Sequence, residues 1–296
     1  MNAPGRPAGD RRRAPPEAGI AQGEAAPAAP GRFPLRLERL APVRGEAPAA
    51  RAVLRPQAPL RQAVEDASRR AMPSGLGLDS AEVRRRMAAR LRAGGLRDER
   101  VLAALAEVPR HAFVDAALVN QAYEDTSLPI GHGQTISKPS VVGRMIELLL
   151  QGQTARSGGS LGRVLEIGSG CGYQAALLAR LGRRVTSIER VRALHDRARE
   201  HLQQLGETRV RLLHGDGMLG HAPGGPYDSI IAAAGGEALP QAWIDQLAVG
   251  GRIVAPVHGS VRGEQVLVVV DRTETGLVRG ENEGVHFVPL KAGLVR

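Results

Sequence analysis

A glycine-rich run from Glu166 to Tyr173 is the part of this sequence best suited to holding a ligand. It follows the short apolar segment Val164 to Ile167 and leads directly into a helical pattern. Glycines at a strand-to-helix turn let the backbone approach a ligand closely, at the strand end where open α/β sheets bind cofactors. The spacing GxGxxG of nicotinamide-binding turns is not met from Gly168, although the weaker form ending in Ala175 is met. The turn therefore predicts a cofactor site without deciding the cofactor.

Acidic residues follow the next two predicted strands. Glu189 comes directly after Val185 to Ile188, where a carboxylate could hold the hydroxyls of a ribose. Asp216 comes just after Val210 to Leu213, in the run His214 to Gly217. The alternative is that Glu189 and Asp216 are merely solvated residues at the ends of strands.

Taken together, these residues resemble the cofactor site of class I methyltransferases. The run Glu-x-Gly-x-Gly-x-Gly from Glu166 is similar to the first motif of that class, and Asp216 stands where those proteins carry an acidic residue near the adenine. The resemblance implies S-adenosyl-L-methionine as the cofactor. The residues it implies for cofactor binding are Glu166, Gly168, Gly170, Gly172, Glu189, Asp216 and Gly217.

A narrower resemblance comes from the segment before this turn. The run Leu128 to Ser137, which reads LPIGHGQTIS, looks like the hallmark of protein-L-isoaspartate O-methyltransferases, and Pro109-Arg110 and Ala122 to Asp125 resemble the same family. The similarity covers nearly all of residues 80 to 296. It implies methyl transfer to the free α-carboxylate of L-isoaspartyl residues in damaged proteins and peptides, which initiates repair through a succinimide.

Methyl transfer to a carboxylate needs alignment rather than a base. A carboxylate with a reference pKa near 4 is already ionised at neutral pH, and positioning alone can contribute about 7–11 kcal/mol. Thr135 and Ser137 are two residues apart, so their hydroxyls could point the same way in an extended segment. Ser137 also matches the active-site serine of the family. The alternative is that Ser137 caps the helix that Pro139 helps to start.

Other reactive residues have simpler interpretations. We expect His132 to make a hydrogen bond within its loop, because the proposed chemistry requires no base. We expect Cys171 to serve as a small residue in the turn rather than as a nucleophile. The eight histidines lack the spacing of metal ligands, so no metal site is expected.

The elements that must position these residues alternate between short apolar runs and helical stretches. This alternation predicts an α/β class I methyltransferase fold, which is a Rossmann-like, doubly wound, mostly parallel sheet. The predicted strands are Val164–Ile167, Val185–Ile188, Val210–Leu213, Ser229–Ala234 and Ile253–Val257, with helices at Tyr173–Leu181, Ala193–Leu205 and Trp243–Leu247. Two further runs without helical spacers, Gln265–Val270 and Val285–Leu290, predict strands at the edge of the sheet.

Helical spacing also precedes the sheet. Two helices are predicted between Asp79 and Val108, with Gly94-Gly95 as the break and Asp79 or Ser80 as the first cap. A third helix starts near Pro139. We expect these helices to form an N-terminal helical lid.

Residues 1–77 differ in composition from the rest. They contain 12 of the 20 prolines, and 13 arginines against 7 acidic residues. Such a segment cannot bury enough apolar surface to offset chain entropy. We therefore predict a disordered Pro/Ala/Arg-rich leader at 1–77 and one methyltransferase domain at 78–296.

The net charge of +10 does not point to nucleic acid. About +6 of it lies in the leader. The sequence has 38 arginines and two lysines, Lys138 and Lys291, a bias that we attribute to the base composition of the gene rather than to phosphate binding. One cysteine excludes an intramolecular disulfide, and no apolar run reaches the roughly 18–20 residues of a membrane span. We expect a cytoplasmic monomer that acts on isoaspartyl proteins and peptides, with no nucleic-acid or membrane partner.

Two alternatives remain open at this point. The chain could be another class I methyltransferase that acts on RNA or a small molecule. It could also bind nucleic acid or a partner through its leader, with a degenerate enzyme fold behind it. The intact set of glycines and acidic residues argues against degeneration.

Overall fold

The structure of the protein is a computed structural model that describes residues 81–259 and 264–295. The predicted leader and the predicted cap at Asp79 or Ser80 lie outside the described residues. The boundary at residue 77 therefore stays a prediction.

Two helices open the described part, as the apolar spacing predicts. They are α1 (Ala81–Ala93) and α2 (Glu99–Glu107), and the chain between them turns at Gly95, whose φ is 109°. Asp98 caps α2 by accepting the amide hydrogen of Arg100 at 2.9 Å. Two short 3-10 turns, Arg110–Phe113 and Ala116–Gln121, then lead toward the run LPIGHGQTIS.

That run folds into a β-hairpin rather than a loop. Strands β1 (Leu128–Gly131) and β2 (Gln134–Ile136) pair antiparallel, and the turn residues Gly131, His132 and Gly133 all have positive φ. Helix α3 (Pro139–Leu150) follows with Pro139 in its first turn, and α4 (Gln153–Gly158) comes next.

The described part of the chain then builds a seven-stranded sheet in the order β5-β4-β3-β6-β7-β8-β9. Its strands are β3 (Arg163–Ile167), β4 (Arg184–Glu189), β5 (Val210–His214), β6 (Tyr227–Ala232), β7 (Leu247–His258), β8 (Gln265–Thr273) and β9 (Gly276–Val285). The first five in this order are parallel, and β8 and β9 are antiparallel. The helices between strands are α5 (Tyr173–Leu181), α6 (Arg192–Gln204) and α7 (Gln241–Asp245). The mostly parallel, doubly wound sheet is confirmed.

Both faces of the sheet are covered. Successive strand residues such as Ile230 and Ile231 belong to two different buried apolar clusters, because side chains alternate between the faces of a strand. The larger cluster includes buried residues of α1 to α6, and the smaller one includes Trp243 of α7. No helix among the described residues combines the length and apolar character that a membrane-spanning segment requires.

The strand predicted at Val285–Leu290 is wrong. The edge strand is β9, whose side chains are almost all exposed, so it lacks the apolar pattern that marks a buried strand. The residues after Val285 instead cross the carboxyl end of the sheet: Gly235 donates to Val288 O at 2.8 Å and accepts from Leu290 N at 2.7 Å. The predicted helix Trp243–Leu247 also ends early, because Leu247 already belongs to β7.

Candidate active site

A cavity of about 460 Å³ lies at the carboxyl end of β3. The neighbours of β3 in the sheet are β4 and β6, so the strand order reverses there, and open α/β sheets bind ligands at such a point. Segments from several elements contribute to the cavity wall: the β1–β2 hairpin with Ser137, Val142 of α3, the turn after β3, the end of β4, Gly217 after β5, Ala233 and Ala234 after β6, and the C-terminal segment from Val288. None of the lining residues belongs to α1 or α2, so of the three predicted lid helices α3 alone reaches the cavity, through Val142, and the hairpin covers it beside α3.

The glycine-rich turn divides its glycines between two tasks. Gly168 and Gly170 line the cavity, with φ values of 88° and 54° that glycine adopts without strain. Gly172, at φ 93°, faces the protein instead, where a Cβ would lie 3.3 Å from the side chain of Ala198. Two of the predicted glycines therefore form the wall, and the third lets α6 approach the start of α5.

Glu189 ends β4 at the cavity wall. Its Oε2 accepts the amide hydrogen of Gly170 and its Oε1 accepts that of Val191, both at 2.9 Å. A carboxylate has about four acceptor sites, so each oxygen keeps capacity for a further donor. The side chain is thus held by backbone amides, and it can still accept hydrogen bonds from the hydroxyl groups of a ligand.

Glu166 lies behind this wall and does not line the cavity. It is fully buried, and its Oε2 is 2.5 Å from Ser187 Oγ, which is 2.5 Å from Ser169 Oγ on the wall. Burial raises the pKa of Glu166 to about 8, the charge of Glu189 adds to this, and hydrogen bonds from Ser187 and Gln174 oppose it. Glu166 is therefore mainly neutral at pH 7 and connects to the cavity through two hydroxyl groups.

Asp216 and Gly217 also separate. Gly217 lines the cavity, and a Cβ there would lie 2.5 Å from Ile167 Cγ2, so the position requires glycine. Asp216 does not line the cavity; its carboxylate accepts the amide hydrogens of Met218 at 2.9 Å and of Gly293 at 2.6 Å. Asp216 thus holds the C-terminal segment against the edge of the site.

The two predicted hydroxyl residues meet at one place. Thr135 and Ser137 both line the cavity, and both also line an adjoining open pocket of about 530 Å³ that includes Lys138 and His286. They therefore stand where a molecule in the cavity and a chain in the pocket would come together.

The structure contradicts the alternative in which Ser137 caps α3. The residue at the N-cap is Lys138, whose side chain makes no capping bond. The amide of Ser140 in the first turn donates instead to Asp125 Oδ1 at 2.8 Å. The hydroxyl of Ser137 is thus not the group that caps this helix.

His132 and Cys171 both line the cavity, in different settings. His132 is exposed at the tip of the hairpin with φ 54°. Cys171 is buried, which raises the pKa of its thiol to about 11 and keeps it protonated at neutral pH. In residues 81–259 and 264–295, no three His, Cys, Asp or Glu side chains cluster as metal ligands would.

Two contributors to the site have no assigned role in the sequence pattern. Val288 to Lys291 line the cavity, although the sequence predicts only an edge strand at Val285–Leu290. Arg110 is fully buried, and its Nη2 donates to Ser137 O at 2.8 Å. It belongs to the quoted pair Pro109-Arg110, but nothing local indicates that its partner lies 27 residues away.

Comparison with known proteins decides the family. The family model described as protein-L-isoaspartate(D-aspartate) O-methyltransferase matches residues 82–294. The chain belongs to this family. The resemblance read from LPIGHGQTIS and the glycine-rich turn is therefore confirmed.

Two bacterial relatives named protein-L-isoaspartate O-methyltransferase match most of the chain. That of Methylibium petroleiphilum is 62% identical over 265 residues, which cover 88% of this chain and 96% of the relative. That of Leptothrix cholodnii is 59% identical over 278 residues, with 91% and 97% covered. With 91% of 296 residues covered, this similarity extends into the residues before Ala81.

Solved structures agree on the fold. A protein-L-isoaspartate O-methyltransferase shares 27% identity at a TM-score of 0.63, covering 72% of this chain and 67% of that one. A Plasmodium falciparum structure described as such an enzyme in complex with S-adenosyl-L-homocysteine has a TM-score of 0.59, with 70% and 98% covered. Its 24% identity supports the fold alone.

Proposed function

We propose that this protein transfers the methyl group of S-adenosyl-L-methionine to the free α-carboxylate of L-isoaspartyl residues in damaged proteins and peptides. The product ester initiates repair through a succinimide. Family membership establishes the enzyme class, an S-adenosylmethionine-dependent carboxyl methyltransferase. The observation that carries the assignment of the site is that Thr135 and Ser137 line both the cavity and the adjoining pocket.

The residues around the cavity fit an adenosyl cofactor. When bound, S-adenosyl-L-methionine supplies a methyl group already activated by its sulfonium. Gly168, Gly170 and Gly217 expose backbone at the wall, and Glu189 has acceptor capacity for ribose hydroxyls. In this proposal Glu166, Gly172 and Asp216 support the wall from behind rather than touch the cofactor.

The adjoining pocket fits the methyl acceptor. An isoaspartyl carboxylate is ionised at neutral pH and has no proton to lose, so the site needs no general base. Thr135 and Ser137 can each donate a hydroxyl hydrogen to one carboxylate oxygen, which orients the other without the strong neutralisation that an Arg would impose. The chain's own contribution is thus to orient the carboxylate and exclude other geometries.

One experiment tests the function directly. The full-length protein is incubated with labelled S-adenosyl-L-methionine and paired peptides that differ only in Asp versus isoAsp, with a D-aspartyl peptide and an RNA pool as further acceptors. We expect label on the isoAsp peptide far in excess of its Asp counterpart. Equal labelling of the pair, or preferential labelling of RNA, would overturn the proposed substrate.

We also propose that the protein acts as a cytoplasmic monomer. Segments of one chain, from the hairpin to the C-terminal segment, line the cavity, so catalysis does not require a second subunit for those contacts. Light scattering coupled to size-exclusion chromatography at assay concentration tests this. A dimer whose dissociation abolishes activity would refute it.

A further inference from the structure

The buried guanidinium of Arg110 joins the two ends of the active-site hairpin. Its Nη2 donates to Thr126 O at 3.3 Å and to Ser137 O at 2.8 Å. Thr126 lies two residues before β1, and Ser137 comes directly after β2. A single side chain outside the hairpin therefore fixes both the entry and the exit of the segment that carries Thr135.

Core packing does not explain an arginine at this position. Removing a charged group from water is costly unless the group is paired, and the salt bridges of the described residues include none with Arg110. Its charge instead meets two carbonyl dipoles and the ring of Tyr173, whose centroid is 4.8 Å from Cζ. An apolar side chain would fill the space without this cost, so arginine adds the two carbonyl bonds and the contact with the Tyr173 ring, and of these the carbonyl bonds hold the ends of the hairpin.

The hairpin needs such an anchor. Its strands have four and three residues, and a two-stranded hairpin is marginally stable by itself in water. The side chain of Arg197 donates to Ile130 O at 2.9 Å near the tip. At the base, Arg110 supplies the bond to the backbone of Ser137.

We propose that Arg110 is a positioning residue for methyl transfer, acting through the backbone of Ser137 to fix the hydroxyls of Ser137 and Thr135. This inference rests on the proposed function. Cofactor binding should be nearly independent of Arg110, because Gly168, Gly170 and Glu189 lie on the turn after β3 and at the end of β4. The effect should therefore fall on turnover.

The test compares Arg110→Met, Arg110→Lys and a matched control, Arg272→Met. Arg272 is half-buried and, like Arg110, donates to two carbonyls, Ile244 O at 3.1 Å and Leu247 O at 2.9 Å, but these carbonyls lie on α7 and at the start of β7 and not at the hairpin. For each variant we measure the thermal midpoint, S-adenosyl-L-methionine affinity by calorimetry, and the single-turnover methylation rate of an isoAsp peptide well below the midpoint.

We expect Arg110→Met to lower the single-turnover rate by about ten- to a hundred-fold, the cost of a misplaced reacting group, with cofactor affinity within about three-fold. Arg110→Lys keeps a charge and a donor and should recover part of the rate. Arg272→Met should lose stability but keep the rate. If Arg110→Met does not fold, Arg110→Lys alone decides, since its rate should still fall more than that of Arg272→Met.

Two failures are distinguishable. If the unaltered protein methylates isoAsp peptides and Arg110→Met and Arg110→Lys do so at the same rate, Arg110 has only a structural role and the inference is wrong. If the unaltered protein does not methylate isoAsp peptides, the proposed function itself fails.

Discussion

Glu189 accepts the amide hydrogen of Gly170 at 2.9 Å, and this bond joins the end of β4 to the glycine-rich turn after β3. The carboxylate therefore shapes the turn and faces the cavity at once. The other carboxylate oxygen of Glu189 accepts the amide hydrogen of Val191. Loss of either oxygen should therefore disturb both the shape of the turn and the binding of a ligand in the cavity.

The first prediction concerns Glu189→Ala. Hydrogen bonds to a charged group contribute about 1.5–3 kcal/mol, so S-adenosyl-L-methionine affinity should fall by roughly ten- to a hundred-fold. Calorimetry of cofactor binding measures this. Glu189→Gln, which keeps one acceptor oxygen, should lose less affinity, and unchanged affinity in Glu189→Ala would remove this residue from the cofactor site.

The second prediction concerns Ser137→Ala. Because Ser137 does not cap α3, the thermal midpoint should change little, whereas methyl transfer should slow by about ten-fold or more from loss of a donor to a carboxylate. Cofactor affinity should stay nearly constant. Rapid-quench single-turnover assays measure the rate. The matched variant Thr135→Val removes the second hydroxyl and is measured in the same way. A normal rate in both variants would exclude the proposed hydroxyl pair.

The parts of the site that can be predicted from sequence are those encoded locally. A glycine-rich run between a buried strand and a helix specifies its own turn, so the sequence alone places Gly168, Gly170 and Glu189 at the strand ends, where they line the cavity. Ser137 belongs to a contiguous motif, which makes it recognisable in the same way. Local patterns of this kind carry their geometry with them.

Other parts depend on tertiary packing and have no local signal. Glu166 belongs to the same motif as Gly168, yet it is buried behind the wall, and nothing in the motif reveals the hydroxyls of Ser187 and Ser169 that connect it to the cavity. The role of Arg110 depends on Ser137, 27 residues away. Strand β9 is not predictable from the sequence, because almost all of its side chains are exposed and show no alternating apolar pattern. Backbone pairing is its main constraint.

The third prediction follows from the raised pKa of Glu166. Its pKa is about 8 in the folded protein against 4.5 for the unperturbed group, so between these values the folded state holds a proton that the unfolded state has lost. The contribution of this group to stability is therefore full below pH 4.5 and declines as pH rises toward 8, by at most about 1.4 kcal/mol per pH unit.

Urea unfolding of the unaltered protein and Glu166→Gln between pH 6 and 8.5 tests this sign. The amide cannot titrate, so the stability of the unaltered protein relative to the variant should fall as pH rises. Parallel pH profiles for the two proteins would show that the carboxyl group does not titrate in this window.

The fourth prediction concerns residues 1–77. Their composition offers neither apolar periodicity nor a core, so a chain that starts at Leu78 should unfold at nearly the same temperature and methylate isoAsp peptides at a similar rate. Differential scanning calorimetry and the peptide assay measure both. Loss of soluble expression or of most activity would show that this segment packs on the domain. The similarity of the Leptothrix cholodnii relative, which extends into these residues, would agree with that result.

The last prediction concerns His132, which lines the cavity at the tip of the hairpin. Because the nucleophile is a carboxylate of the substrate, ionised above a pKa near 4, no imidazole has to accept a proton in the transition state. His132→Ala should therefore retain substantial activity, and kcat against pH should lack the rise between pH 6 and 7 that a required neutral histidine produces. Steady-state rates from pH 5.5 to 8.5 for both proteins measure this. The carboxylate mechanism is wrong if kcat of the unaltered protein rises between pH 6 and 7 and if His132→Ala loses both this rise and most of its activity. That result would mean that His132 accepts a proton.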